Sequence, residues 1–427
     1  MIEPGGSVAQ AICALRQRMV ELWWQAPTAM PAFGREFSPA EQEERERHLE
    51  SFLNSAVAVV RHSPRHSQGR RLARQQLLGN FAGFARTSLD WSERHLDVLL
   101  SAGFPEVAVE FAQLARVFDP DITSAEIFQA SRNVWTMCGL QVLLGQQCRL
   151  TPSAFAYSLL YPYTDNLLDD PGVSPDEKAS FVSRFHQRLS GQQVQPANRR
   201  EALVWDLVGM IEGEWDRATA PHVYESLMAI HLAQIKSMDL LRARSGLCDI
   251  DVLGISVEKG GASVLADGYL TAGELTPEQS EFLFGWGAFL QFVDDLQDVA
   301  RDTSDGLWTV FSRTAGRETL DGITSRTMGF GQHVLNGLTC FSAAAGEPLK
   351  ELMTHSAGML IAFGVCAAAP LHSPAYVQHA ESHSPFRFSV LGAARERVQK
   401  DGTMLLHALE AIAEPHPGSL LPWLQRS

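Results

Sequence analysis

The stretch Phe289–Asp302, FLQFVDDLQDVARD, places four aspartates directly behind an almost wholly apolar run. Asp294, Asp298 and Asp302 are spaced by four and four, which puts them on one face of a helix, whereas Asp295 points off that face. The face would be about 12 Å long at about 1.5 Å per residue. No Lys or Arg lies between Phe282 and Arg301. Because a buried carboxylate must be paired, protonated or bound to metal, this acidic helix end requires a partner from elsewhere.

A second acidic cluster lies upstream in YPYTDNLLDDP, residues 161–171. Asp165 and Asp169 are four apart and share a helix face, Asp170 follows, and Pro171 stops or bends the chain. Carboxylate oxygens suit Mg²⁺, which usually completes its coordination shell with water and substrate phosphate. The alternative is that each cluster is a solvated helix end, although aspartate is unfavourable at a helix C-terminus. Two clusters with matched spacing favour a metal site that holds an anion.

Composition and the spacing of apolar residues predict the fold class. The chain has 427 residues, 45% of them hydrophobic and 20% charged, which is enough for a large buried core. Apolar residues recur at helical spacing of three and four, and long alternating β-branched runs are missing. We therefore expect an all-α protein built as one large helical bundle. The formal net charge is −14, which argues against nucleic acid as a partner.

The six cysteines are scattered without a C-x-x-C pair, which predicts reduced thiols that fill the core rather than a disulfide framework or a zinc site. The first residues lack the basic start and continuous apolar stretch of a signal peptide. The longest apolar run, Ala357–Pro370, is too short for the roughly 20 residues that cross a bilayer. We expect a cytoplasmic protein that is not transmembrane.

With these motifs in place, the chain resembles the class I isoprenoid synthase superfamily: prenyl diphosphate synthases, squalene and phytoene synthases, and terpene cyclases. FLQFVDDLQD is similar to the second aspartate motif of trans-prenyltransferases, F-Q-x-x-D-D-x-x-D. Asp294, Asp295, Leu296, Arg301 and Asp302 fit the cyclase motif (N/D)-D-(L/I/V)-x-(S/T)-x-x-(K/R)-E, with Asp298 and Asp302 as departures. DNLLDD resembles the D-x-x-x-D-D motif of squalene-type enzymes.

The resemblance implies an isoprenoid synthase-like domain over residues 86–427, preceded by extra N-terminal helices over residues 1–85. It implies a terpene synthase that ionises a linear prenyl diphosphate (farnesyl, geranylgeranyl or longer) and cyclises the carbocation. Mg²⁺, as three ions bound with the diphosphate, would stabilise the leaving group. A homodimer is usual in the resembling family. The catalytic and metal-binding residues would be Asp165, Asp169, Asp294, Asp298 and Asp302, with Asp170 and Asp295 as further metal ligands.

The predicted substrate contacts are Arg301, Lys259, Gln291, Phe289 and Asn166, with Arg242 and Arg244 as weaker candidates for the diphosphate. Each of the better ones has a plainer alternative. Arg301 would otherwise be a surface residue paired with a neighbouring acid, Gln291 a core amide, and Phe289 a core ring. Lys259-Gly260-Gly261 would break a helix beside the cavity, or else form a plain kink with a solvated lysine.

Departures from the motifs leave two alternatives open. The chain has no G-K-R-x-x-R-P-like segment, and Trp308 stands where chain-elongating prenyltransferases carry a basic residue. Elongation with isopentenyl diphosphate is therefore disfavoured. Head-to-head coupling of two prenyl diphosphates, as in squalene or phytoene synthases, is the enzymatic alternative. A helical binding protein of the same fold without turnover is the other alternative, against which the intact aspartates count.

Overall fold

A computed structural model describes residues 7–61, 66–170, 172–242 and 250–397 of the chain. Every regular element in these ranges is a helix, so the all-α prediction is confirmed. In chain order the α-helices are α1 Val8–Gln25, α2 Pro39–Arg61, α3 Ser67–Ser88, α4 Glu93–Leu100, α5 Phe104–Phe118, α6 Ser124–Leu143, α7 Pro152–Asp169, α8 Pro175–Leu189, α9 Arg199–Glu214, α10 Pro221–Ser237, α11 Asp239–Arg242, α12 Val252–Ala272, α13 Pro277–Gln297, α14 Val299–Asp305, α15 Val310–Thr314, α16 Asp321–Leu335, α17 Glu347–Ala367 and α18 Pro374–Ser382. Short 3-10 helices cover Asn336–Cys340, Ala344–Gly346 and Ala369–Leu371.

The contacts of the chain group it into two compact units. The first unit comprises Met1–Phe33, Leu160–Ser342 and Met353–Ala380, and the second comprises the remaining segments, Gly34–Leu159, Ala343–Leu352 and Glu381–Ser427. The domain boundary near residue 85 stays a prediction, but this grouping divides the chain elsewhere. α1 belongs with the helices that carry both aspartate clusters, because its apolar face packs against α10, α12, α13 and α16.

The first unit is built around α12. This helix packs against α10 and, most extensively, against α13. It is buried over most of its length, which agrees with a sequence that is apolar nearly all the way round. The side chain of Asp251 caps its first turn by accepting from the Gly254 N–H, and Gly273 at φ 75° ends it.

The close packing of α12 against α13 depends on glycine. A Cβ atom placed on Gly260 would lie 2.4 Å from the carbonyl oxygen of Gly287, and one on Gly261 would lie 2.7 Å from the ring of Phe284. The expected break at Gly260-Gly261 is therefore wrong, because α12 runs through both glycines without interruption. Their missing side chains let two backbones approach rather than bend one of them.

The acidic end of α13 also differs from the expected continuous helix. A capping box between Thr276 and Gln279, with Pro277 in the first turn, starts α13, and the helix ends at Gln297. Asp298 adopts φ −101° and ψ 5°, and α14 begins at the next residue. Backbone hydrogen bonds of 2.9 Å, from the Asp298 N–H to the Asp294 carbonyl and from the Asp302 N–H to the Asp298 carbonyl, preserve the four-residue spacing across the junction.

In the second unit, α2 packs against α3 and α5 against α6. The rings of Phe52 and Phe84 stack with centroids 5.1 Å apart, which joins α2 to α3. Glu46 on α2 accepts hydrogen bonds from the backbone and side chain of Arg387. These contacts fix the helical pairs of this unit.

One stretch of the described residues, Glu93–Phe118, is long and apolar enough by composition to cross a membrane, and 39% of its most apolar window is buried. The chain divides this stretch into α4 and α5 at Gly103, where φ is 103°. Neither helix alone reaches the roughly 20 residues of a spanning helix. A core helix of a soluble protein passes the same test, so membrane topology stays a prediction.

Candidate active site

Both acidic clusters lie in the first unit, one at the end of α7 and the other across the junction of α13 and α14. Lys259 on α12 is the residue common to both. Its Nζ lies 3.7 Å from Oδ1 of buried Asp165 on α7. Burial raises the pKa values of Asp169 and Asp295, and the positive charge of Lys259 opposes this rise. α12 therefore supplies a cation to the first acidic stretch, which has no Lys or Arg of its own, and this cation also acts on the second.

Asp295 is the most enclosed acid of the second cluster. Its residue surface is 5% exposed, and its Oδ1 accepts a hydrogen bond of 2.8 Å from Nε2 of Gln291. Its Oδ2 is buried and has no hydrogen-bond partner among the described residues. Burial raises the pKa of Asp295 to about 8, and the charges of Asp294 and Asp302 act in the same direction. The residue that points off the acidic face therefore keeps its proton near neutral pH unless a cation stabilises its charged form.

Asp302 shows the same effect. It is 5% exposed, and burial together with the charge of Asp298 raises its pKa to about 7, against the opposing charge of Arg301. Asp294 also raises this pKa. Three carboxylates of the acidic face therefore act on one another, and a cation beside them would relieve the repulsion.

The first cluster is more open. Asp169 is exposed, yet desolvation and the charge of Asp165 raise its pKa. Lys259, Lys178 and Arg301 lower it. Arg301 stands on α14 within the second cluster, between Asp298 and Asp302, so its effect on Asp169 indicates that the two clusters lie within electrostatic reach of each other. No sequence pattern pointed to Lys178, which lies near the start of α8.

The remaining predicted residues lie as follows. Asp170 is exposed, and its Oδ1 accepts a hydrogen bond of 2.7 Å from the Gly172 N–H, which holds the turn after α7. The carbonyl of Asn166 accepts from the Asp170 N–H at 3.0 Å, and Asn166 itself is half-buried. Roles for these two residues in binding metal or substrate stay predictions. Asp294 and Asp298 are half-buried.

Arg301 and Phe289 adopt the plainer of the arrangements that the sequence allowed. The Arg301 side chain is 68% exposed, and its Nη2 lies 2.7 Å from Oδ2 of Asp298. Phe289 is fully buried, with its ring against Gly331 on α16 and 5.3 Å from the ring of Trp286. Arg242 and Arg244 lie outside what the structure describes, the former in its side chain and the latter entirely. The substrate contacts proposed for Arg301 and Phe289 stay predictions.

No group of three or more His, Cys, Asp or Glu side chains in the described residues is arranged to hold one metal ion. The donor chemistry nevertheless fits Mg²⁺, which proteins commonly bind through one or two carboxylates and substrate phosphates rather than through a complete protein cage. The buried, unpartnered Oδ2 of Asp295 and the raised pKa of Asp302 are also compatible with cation binding. The residues present therefore fit a metal that arrives with an anionic ligand.

Comparison with protein-family models, with curated proteins and with solved structures finds no match to this chain. The inference of function therefore depends on the residues of the site and on the motif resemblance.

Proposed function

We propose that this protein is a Mg²⁺-dependent class I terpene synthase that ionises a linear prenyl diphosphate and cyclises the resulting carbocation. The observation that supports it best is that the ammonium group of Lys259 lies 3.7 Å from Asp165 of α7 and acts electrostatically on Asp169 of α7 and Asp295 of α13. An acidic cluster with raised pKa values is costly in the folded state unless cations join it. A metal–diphosphate complex supplies such cations.

Asp165, Asp169, Asp294, Asp298 and Asp302 would hold the metal, with Asp295 and Asp170 as further candidates. Bound Mg²⁺ would neutralise the charge that develops on the departing diphosphate. Lys259 would hold a diphosphate oxygen, because its ammonium already lies among the carboxylates at 3.7 Å from Asp165. Arg301 would leave Asp298 for the diphosphate, since its own side chain is 68% exposed and an ion pair near the surface costs little to break.

Gln291 would act one step away from the metal. Its Nε2 donates to Oδ1 of Asp295, which fixes that carboxyl group and leaves Oδ2 for a ligand. Phe289 and Phe292 are fully buried on the apolar side of α13, which lies opposite the acidic face, and they exclude water from that side of the helix. A carbocation requires such a water-poor surrounding.

The experiment is incubation of the purified protein with geranyl, farnesyl, geranylgeranyl and geranylfarnesyl diphosphates, with and without Mg²⁺. Organic extracts are analysed by mass spectrometry. We expect a hydrocarbon or alcohol with the carbon number of one substrate, lost without metal and in Asp294→Ala but kept in Asp305→Ala. Asp305 is an exposed acid of the same segment and serves as the matched control.

A product with twice the carbon number would overturn cyclisation in favour of head-to-head coupling. Folded protein that yields no product from any of the four substrates would overturn the enzymatic proposal. It would leave a helical binding protein, whose affinity for inorganic pyrophosphate could then be measured directly.

A further inference from the structure

The segment after α6 doubles back along that helix in the second unit. Gly145 adopts φ 73°, and the Gln146 N–H donates to the carbonyl of Gln141 at 2.7 Å. The side chain of Gln141, which is 2% exposed, forms two hydrogen bonds with the backbone of Arg149 through its amide nitrogen and oxygen. Nε2 donates to the Arg149 carbonyl at 3.0 Å, and Oε1 accepts from the Arg149 N–H at 2.9 Å.

This arrangement brings two cysteines together. Cys138 lies on α6 one turn before Gln141, and Cys148 directly precedes Arg149. Their side chains form a hydrogen bond, and both residues are free thiols. The interaction between the two thiols raises the pKa of Cys138 and lowers that of Cys148, while burial raises both pKa values. Both residues are buried, Cys148 at 8% exposure and Cys138 at 3%.

We propose that Cys138 and Cys148 form a thiol–disulfide exchange site, which small-molecule disulfides of the glutathione type convert into an intrachain disulfide. A disulfide requires the two sulfur atoms to approach to about 2.05 Å. Cys148 lies in a segment without regular structure, which can shift more easily than the helix that carries Cys138. The site is independent of the aspartate clusters and of the proposed function.

The exchange proceeds in two balanced steps. The Cys148 thiolate attacks one sulfur of the disulfide reagent, the reagent's S–S bond breaks, and one thiolate leaves. That thiolate takes up a proton from Cys138, whose sulfur then attacks the Cys148 sulfur and releases the second half of the reagent as a thiolate. The two cysteines lose two protons and two electrons in all, and the reagent is reduced to two thiols. Cys148 has the lower pKa and lies outside regular structure, so it is assigned as the attacking residue, and Cys138 on α6 resolves the mixed disulfide.

The test uses the full-length chain incubated with glutathione disulfide over a range of ratios to glutathione. Free thiols are then alkylated, and the chain is digested with trypsin. Because no Lys or Arg lies between Asn133 and Gln147, and Arg132 and Arg149 flank this stretch, one tryptic peptide, residues 133–149, contains both cysteines. We expect this peptide to change from two alkyl labels to none, with the loss of two hydrogen atoms, as the ratio rises.

Cys148→Ser should leave Cys138 alkylated at all ratios, whereas Cys366→Ser, a change in the first unit, should leave the oxidation of the peptide unaltered. Native circular dichroism shows whether each variant is folded. Retention of both labels in the wild-type peptide at high oxidant would overturn the proposal, independently of the variants. A stable mixed disulfide of Cys148 with glutathione that Cys138 does not resolve would overturn it too.

Discussion

Nζ of Lys259 lies 3.7 Å from Oδ1 of Asp165, so a lysine of α12 and an aspartate of α7 that are distant in sequence meet in the acidic cluster. The Lys259 side chain is 22% exposed and that of Asp165 is 11% exposed. The pair is therefore partly shielded from solvent, where ion pairs are stronger than at the surface. The charge of Lys259 also opposes the rise in the pKa values of Asp169 and Asp295.

Lys259→Met should weaken binding of Mg²⁺ with inorganic pyrophosphate about tenfold, or about 1.4 kcal/mol, because one charge-assisted contact to the anion is lost. Isothermal titration calorimetry measures this affinity. Lys236→Met is the matched control, since Lys236 pairs with Glu258, the neighbour of Lys259, at 2.5 Å. Equal losses in both variants would mean that the ion pairs stabilise the fold and that Lys259 does not bind the anion.

Gly260→Ala should lower the free energy of unfolding by about 1–3 kcal/mol, because its Cβ would lie 2.4 Å from the Gly287 carbonyl oxygen and would force α12 away from α13. Urea unfolding followed by circular dichroism measures this change. Gly209→Ala on α9 is the control, with its nearest neighbour 4.0 Å from the added Cβ. It should be neutral or stabilising by up to about 1 kcal/mol. Unchanged stability of Gly260→Ala would contradict the close helix contact.

The stability of the wild-type protein should fall as the pH rises from about 4 to about 8, because Asp295 keeps its proton in the folded state over this range and loses it in the unfolded state. Its folded pKa is about 8 and its ordinary value is 3.8, so the unfolded chain binds fewer protons between these limits. The free energy of unfolding then falls by at most about 1.4 kcal/mol per pH unit because of this group.

Asp295→Asn removes this titration and should flatten the profile, with the variant more stable than the wild type near pH 8. Some slope should remain, since the pKa of Asp302 is also raised, to about 7. Urea unfolding at about pH 5 and about pH 8 compares the two proteins, with exposed Asp305→Asn as the control. Parallel profiles for wild type and Asp295→Asn would show that Asp295 is ionised in the folded protein.

Mg²⁺ and inorganic pyrophosphate added together should raise the melting temperature by a few degrees, since a ligand at about 100 times its Kd adds about 2.7 kcal/mol to the stability of the folded state. EDTA should reverse the shift, and Asp298→Asn should reduce it. Asp305→Asn should keep the full shift. Differential scanning fluorimetry suffices for the measurement. A full shift from pyrophosphate with EDTA present would rule out metal as the bridge.

The sequence by itself determined the helices and the spacing of the acids. Thr276 and Pro277 start α13, and the four-residue repeat of Asp294, Asp298 and Asp302 survives even the helix junction at Asp298. These features depend on residues within one or two turns of each other, because capping and helical hydrogen bonds are local. An all-α chain with two acidic helix ends follows from them.

Only the tertiary structure decided which acid is buried and what each residue meets. Asp294 and Asp295 are neighbours in sequence, yet Asp295 alone is enclosed, because it follows Gln291 on the side of α13 that Gly260 of α12 approaches. Lys259 of α12 likewise meets Asp165 of α7 only in the tertiary structure. Burial and pairing between helices depend on contacts distant in sequence, and no local pattern specifies which helix supplies them.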